Sequence, residues 1–204
     1  GVIVHKKGEA LKTLFLLGVT VIAIVALLAG GFFRSFKAKS ESVLDKSVGM
    51  NGSFEITKSG LPVNWLIYTQ KTISTGDYDF IIDSEQYKSG TQSLKFVVRA
   101  CSPDGGWHSP GFSQEYDAIP ATVYKVSFWV KNDGAEFRVK VGGITGDKGR
   151  YETIVKSSEN FATWTQFEHK YTIPPKFNRI RIELNVLKPG IFWIDDVEIS
   201  GISN

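Results

Sequence analysis

In the stretch Ser102-Pro-Asp-Gly-Gly-Trp-His108 an indole and an imidazole follow two glycines, and Gln114 and Tyr116 come shortly after. Flat aromatic surface beside planar polar side chains is what a pyranose ring requires, because its C–H faces are apolar and its rim is hydroxylic. Trp107, His108, Gln114 and Tyr116 are therefore candidate ligand-binding residues, and the two glycines put Trp107 on an exposed loop. The competing expectation is that Trp107 packs over the edge of the fold. A second indole stands out by parity: Trp129 shares the side of Lys125 and Lys131, the wet face of its strand. Flanked by Arg138 and Arg181, it forms a candidate docking patch, since Trp and Arg favour interface centres. The alternative is a loop of the same chain lying over it.

Catalytic chemistry finds little footing. A nucleophilic triad needs a base and an orienting acid around one serine. The histidines are His5, His108 and His169, and His108 and Ser109, as neighbours on an extended chain, point apart. A glycosidase needs two facing carboxylates, and Asp104, Glu115 and Asp117 are joined only by closeness in sequence. Gly142-Gly-Ile-Thr-Gly-Asp-Lys-Gly149 lacks the Lys-Ser/Thr pair of a phosphate loop and reads as a hairpin loop. With Cys101 the single cysteine, the chain has no intramolecular disulfide and no multi-cysteine zinc site. The expectation is a protein that binds without turnover.

The elements that must position these residues are short strands. Leu94, Phe96, Val98 and Ala100 alternate with Lys95, Val97 and Arg99; Tyr124, Val126, Phe128 and Val130 with Lys125, Ser127, Trp129 and Lys131. Phe137, Val139 and Val141 alternate with Arg138 and Lys140, and Ile180, Ile182, Leu184 and Val186 with Arg179, Arg181, Glu183 and Asn185. Period-2 alternation gives each strand one core face and one wet face, as in antiparallel sheets. The run from Ile191 is apolar on both sides until Asp195 and Asp196, which predicts a central strand. The fold class is mainly β, an antiparallel sandwich.

Before the strands lies a different kind of sequence. Residues 14–33 carry no charge and, at about 1.5 Å per residue, are long enough for a hydrocarbon core of about 30 Å. The expected organisation is a tail (1–12), a transmembrane helix (13–34), a polar tether (35–48) and the sandwich (49–204). A cleaved signal peptide is the alternative, weakened by the length of the run and by the missing A-x-A site. Gly18, Gly30 and Gly31 are candidate helix-packing positions. Net charge is +3 in residues 1–34, +1 in 35–48 and −1 in the remainder, so the folded part lacks the basic excess that nucleic-acid binding needs. The expected location is the membrane, single-pass, with a cytoplasmic N-terminus and a periplasmic or extracellular C-terminal domain.

The motifs Asn51-Gly-Ser-Phe-Glu55, Gly60-Leu-Pro-x-x-Trp65, Ser89-Gly90-x-x-Ser93-Leu-Lys-Phe96, Tyr124-x-Val-Ser-Phe-Trp-Val-Lys131, Trp164-x-x-Phe167, Tyr171-x-Ile-Pro174 and Gly190-x-Phe-Trp-Ile-Asp-Asp-Val-Glu-Ile199 resemble the carbohydrate-binding-module, galactose-binding-like jelly roll over about residues 49–201. The resemblance implies a jelly-roll sandwich and adds Trp65 and Tyr68 to the loops around Trp107. It also implies a structural calcium site joining the first strand to the last, with Glu55 and Asp196, or Asp195 as the alternative, among six to eight oxygen ligands. The competing expectation is that these carboxylates hold turn amides. Asn51-Gly-Ser53 matches a glycosylation sequon but falls inside the family motif and is read as fold chemistry.

Two readings of function follow. The first is a non-enzymatic accessory subunit that packs on and stabilises a larger membrane protein complex, with membrane lipid and other subunits as partners. The second is a membrane-anchored, cell-surface glycan-binding module. The tether, about 20 Å as a flexible coil, keeps the sandwich near the bilayer and favours the first.

Overall fold

The computed structural model describes residues 44–73 and 75–202, which belong to the folded unit Val43–Asn204. The segment 13–34 expected to be transmembrane, with Gly18, Gly30 and Gly31, lies outside the described residues. Among those described, no helix is long and apolar enough to cross a membrane.

Twelve strands follow in order: β1 (Thr57–Lys58), β2 (Leu61–Pro62), β3 (Leu66–Tyr68), β4 (Asp77–Asp83), β5 (Ser93–Ala100), β6 (Gly111–Asp117), β7 (Val123–Asp133), β8 (Glu136–Thr145), β9 (Lys148–Ser157), β10 (Phe161–Thr172), β11 (Arg179–Lys188) and β12 (Gly190–Gly201). β1 and β2 form a small hairpin whose turn residues Ser59 and Gly60 both have positive φ, the geometry that matches the twist of a two-residue hairpin. The other ten strands make two antiparallel five-stranded sheets, β10-β7-β12-β5-β4 and β3-β6-β11-β8-β9. From β5 to β8 the chain changes sheet at every connection, and it does so again from β9 to β12, so the core lies between two sheets built by crossing connections.

The alternation read from the sequence becomes this core. Leu94, Phe96, Val126, Phe128, Val130, Phe137, Val141, Leu184, Val186 and Phe192 are fully buried, and Phe137 packs on Phe192 with ring centroids 4.7 Å apart. Each such side chain contributes roughly 1.5–3 kcal/mol by leaving water. Ala100, expected inside, is exposed, because β5 ends there at the sheet's margin. β12 is the middle strand of its sheet, as its two-sided apolar character predicted. Its register breaks between Asp195 and Glu198, where Asp196 takes φ +48° and lets Val197 return to the core. The expected loop Gly142–Gly149 is shorter than predicted: β8 and β9 pair as far as Thr145 and Lys148, leaving Gly146 and Asp147 as the turn. Gly142 stays in the ladder because it lies beneath Tyr151, and a Cβ there would come 2.4 Å from that ring.

The segment assigned to a polar tether is in its last residues part of the domain. Asn64 accepts the Asp45 amide (2.7 Å) and donates to the carbonyls of Asp45 (2.9 Å) and Gly49 (2.7 Å). Asn51, with φ +52°, spends its whole side chain inside, donating to the carbonyls of Ile56 and Val63 and accepting the Ile56 amide. The sequon asparagine is thus a turn-former.

Candidate functional site

The outer face of the sheet β3-β6-β11-β8-β9 gathers the polar side chains. Register fixes which ones: Arg181 lies between Glu115 of β6 and Gly142 of β8, Glu183 between Ser113 and Lys140, and Asn185 between Gly111 and Arg138. Tyr68 of β3 stands opposite Gly111, and Tyr151 of β9 opposite Gly142. Small residues, Gly111, Ser113 and Gly142, form the floor, and tyrosines from the two edge strands flank it.

Arg181 is the hub of this face. Its Nη2 donates to Tyr68 Oη (3.1 Å), Ser113 Oγ (3.1 Å) and Glu183 Oε2 (3.3 Å), and its Nη1 lies 3.4 Å from Glu115 Oε1. Tyr68 Oη in turn donates to Glu183 Oε2 at 2.7 Å. Burial, together with the charge of Glu183, pushes the Tyr68 phenol upward. Burial also raises Tyr151, with Arg181 opposing and Glu115 and Glu183 assisting. For Arg181, burial works against the charge, but Tyr68, Tyr151 and Glu183 outweigh it and hold the guanidinium protonated. Among the described residues its Nε has no acceptor, and neither does Arg138 Nε. A buried donor without a partner costs roughly 1–3 kcal/mol.

Trp107 forms one wall. It sits in the single 3-10 turn among the described residues, Gly106–His108, and stacks on Tyr68 with centroids 4.8 Å apart and planes tilted by 35°. Tyr68 is fully covered, whereas Trp107 keeps 47% of its surface exposed. The loop is held from below: Asn185 accepts the Gly106 amide (2.8 Å) and donates to its carbonyl (3.0 Å), and Arg138 Nη2 donates to the Asp104 carbonyl (3.4 Å). Gly105, at φ +79°, has no room for a side chain, since a Cβ would fall 1.8 Å from Arg138 Nη2. Buried Ser109 closes the turn by accepting the Gly105 amide and donating to the Ser102 carbonyl.

Of the predicted ligand residues, the structure places Trp107 and His108, both exposed, on this rim. The other three are corrections. Trp65 is core: it is 6% exposed, packs edge-on against Phe112 at 5.0 Å and donates its indole N–H to the Asn51 carbonyl. Gln114 and Tyr116 share the parity of Phe112 and so point inward. The Gln114 amide donates to the carbonyls of Met50 and Asn64, and the Tyr116 hydroxyl is buried with no partner among the described residues. The outward residues of that strand are Ser113 and Glu115. Tyr151, Glu183, Ser113 and Asn185 are the site residues that sequence reasoning did not select.

The docking patch is also redrawn. Trp129 lies in β7, while Arg138 and Arg181 lie in β8 and β11 of the opposite sheet, so the three do not meet. Instead Lys88, from the β4–β5 connection of this chain, places its ammonium 4.5 Å over the Trp129 ring. The neighbouring Trp193 donates to Asp83 Oδ2 (2.8 Å) and lies under Lys95 and Lys131.

Glu55, Asp195 and Asp196 converge on that same connection. Glu55 accepts the amides of Thr91 (2.9 Å) and Gln92 (3.2 Å) and the Thr91 hydroxyl (2.6 Å). Asp195, fully buried, accepts the amides of Lys88, Ser89 and Asp196, and Asp196 accepts the Ser89 hydroxyl. The first and last segments do meet, through the Val197 amide and the Gly52 carbonyl at 2.9 Å. The donors are hard oxygens, as calcium prefers, and those of Glu55 and Asp195 already serve loop amides and a hydroxyl, while Asp196 accepts one hydroxyl. Among the described residues no three His, Cys, Asp or Glu side chains gather around one point. The structure thus uses these carboxylates to hold the β4–β5 connection, and no part of the chemistry is routed through a metal.

Comparison with known proteins agrees with this architecture. The carbohydrate binding domain family CBM_4_9 matches residues 46–190, and the chain belongs to that family. Among solved structures it is similar to the xylan-binding domain CBM22-1 of Paenibacillus barcinonensis Xyn10C, at 17% identity and TM-score 0.53 over 75% of this chain and 93% of that one. It is also similar to the CBM22-1–GH10 modules of Clostridium thermocellum xylanase 10B in complex with xylohexaose, at 19% identity and TM-score 0.53, covering 68% of this chain and 26% of the xylanase chain. A third likeness is to tailspike protein 4 of bacteriophage CBA120, at 19% identity and TM-score 0.52 over 74% of this chain and 21% of that one. At these identities the likeness concerns the fold. No curated protein sequence matches the chain.

Proposed function

We propose that this protein binds a polysaccharide along the outer face of the β3-β6-β11-β8-β9 sheet, without turning it over. The observation that carries the proposal is the half-exposed Trp107, stacked on buried Tyr68 at the edge of a floor where Arg181, Glu183 and Ser113 offer donors and acceptors. An apolar platform beside fixed polar groups is the chemistry of sugar recognition. Glu115 and Glu183 are each tied to arginine, which supports binding over acid–base work. Because relatives by fold are xylan-binding domains, xylo-oligosaccharides and β-glucan oligosaccharides are the first ligands to assay. Isothermal titration calorimetry should give saturable binding to a member of such a panel and no product release. A flat titration across all of them would overturn the reading.

Of the two readings drawn from the sequence, glycan recognition is the one the family supports. The subunit reading drew on the short tether and on an open Trp129, and of these Trp129 has Lys88 of the same chain lying over it. We retain the anchor from the sequence: residues 14–33 would hold the module in a membrane as a single pass, with the sandwich outside the cytoplasm. Carbonate extraction of membranes should leave the chain in the pellet, and protease added to intact cells should remove the sandwich. Release by carbonate, or full protection from protease, would refute this placement.

A further inference from the structure

Resting on the glycan-binding reading above, we infer that the groove selects an anionic glycan, one carrying carboxylate or sulfate groups, and that Lys140 and Arg138 form the subsite for that charge. The charges of the face divide into two sets. Arg179 and Arg181 are balanced by Glu115 and Glu183 through ion pairs of 2.9, 3.4 and 3.3 Å. Lys156 and Lys188 belong to Glu136, at 3.3 and 2.6 Å. Arg138 and Lys140 are left over. Both are half-buried on β8, about 7 Å apart along the strand, and neither has an ion pair among the described residues.

Their position ties them to the platform. Lys140 lies directly across from Glu183, whose Oε2 accepts the Tyr68 hydroxyl, and Trp107 stacks on Tyr68. A strand spacing of about 4.8 Å separates β8 from β11, so a sugar resting on Trp107 and reaching Glu183 has its next polar group beside the Lys140 ammonium. Arg138 supports the Trp107 loop with one Nη2 bond, which leaves most of its donors uncommitted. Neutral hydroxyls do not require two cations without an ion pair of their own on a partly desolvated surface. A carboxylate or sulfate does, since such cations gain most from an anion when water is partly excluded.

The test uses the full 204-residue chain and three probes of one backbone: xylo-oligosaccharide, its glucuronate-substituted form and its sulfated form. Either anionic probe should bind about tenfold more tightly than the neutral one at low salt, the gain expected of two modest charge contacts. At about 1 M NaCl, where the screening length is about 3 Å, the ratio should fall towards one. Lys140→Gln should reduce the ratio, and Lys140→Gln with Arg138→Gln should abolish it, while Lys140→Arg keeps it. Preference for uronate alone or sulfate alone supports the assignment and names the group. Equal binding of all three probes overturns the charge subsite and leaves the glycan-binding reading intact. A preference that survives the double substitution refutes the choice of residues, and binding of none of the probes, or of any other glycan, refutes both readings together.

Discussion

Replacing Trp107 by alanine removes the platform, and the size of the effect on binding can be worked from its exposure. A tryptophan presents roughly 250 Å² at most. With 47% still exposed, about 115 Å² remains for a ligand to cover. At about 25 cal/mol per Å² that is roughly 2–3 kcal/mol, or a Kd weaker by about 30- to 150-fold. The fold loses the Trp107–Tyr68 stacking, about 0.5–1.5 kcal/mol, together with the burial of the other half of the indole, at most about 3 kcal/mol by the same coefficient, so Tm falls by up to about 10 °C while the core stays intact. Trp65→Ala is the contrast: a 6% exposed indole in the core leaves a cavity costing about 3–5 kcal/mol, so that variant should fail in thermal melts before binding is measured. Calorimetry with the tightest-binding oligosaccharide, paired with circular dichroism melts, reads both. If Trp107→Ala bound as the parent does, or lost binding only by unfolding, the assignment of the groove would be wrong.

Three further outcomes are expected. Gly105→Ala, whose Cβ would collide with Arg138 Nη2, should displace the Trp107 loop and weaken glycan binding about tenfold or more with only a small drop in Tm; unchanged affinity would show that the loop does not set the platform. Because Glu55, Asp195 and Asp196 already hold loop amides and hydroxyls, a chelator should leave Tm unchanged, and a drop reversed by added calcium would restore the metal site implied by resemblance. Burial pushes the Asp195 carboxyl up to about 6, so ionising it in the folded state costs stability: the contribution is whole below the ordinary aspartate range and is lost as pH rises through about 6. Glu136 runs the other way. Its bonds to Lys188 and Ser158 and its ion pair with Lys156 hold it at about 2, giving stability that is present above the ordinary glutamate range and is lost as pH falls towards 2. Asp195→Asn should flatten the Tm profile between about pH 4 and 6 relative to the parent, and an identical slope there would exclude Asp195 as its source.

The sequence by itself determined the strands and their faces. Alternation at 94–98, 124–130, 137–141 and 180–186 decides which side chains enter the core, because a strand's period is 2 whatever its neighbours are. It also placed Arg138, Arg181, Glu183 and Asn185 on wet faces and Trp107 on a loop. It could not show which wet faces belong to one sheet, since strand order is set by long-range pairing. Arg181 therefore seemed to flank Trp129 when its neighbours are Tyr68, Ser113 and Glu183. Gln114 and Tyr116 are polar and aromatic near Trp107 in sequence, but they share the parity of Phe112 and point inward. Tyr151, 44 residues beyond Trp107 in sequence, joins the groove only because β9 pairs with β8 and β8 with β11. Pattern along the chain sets what each strand shows to water, and the pairing of distant strands sets which of those surfaces meet as a site.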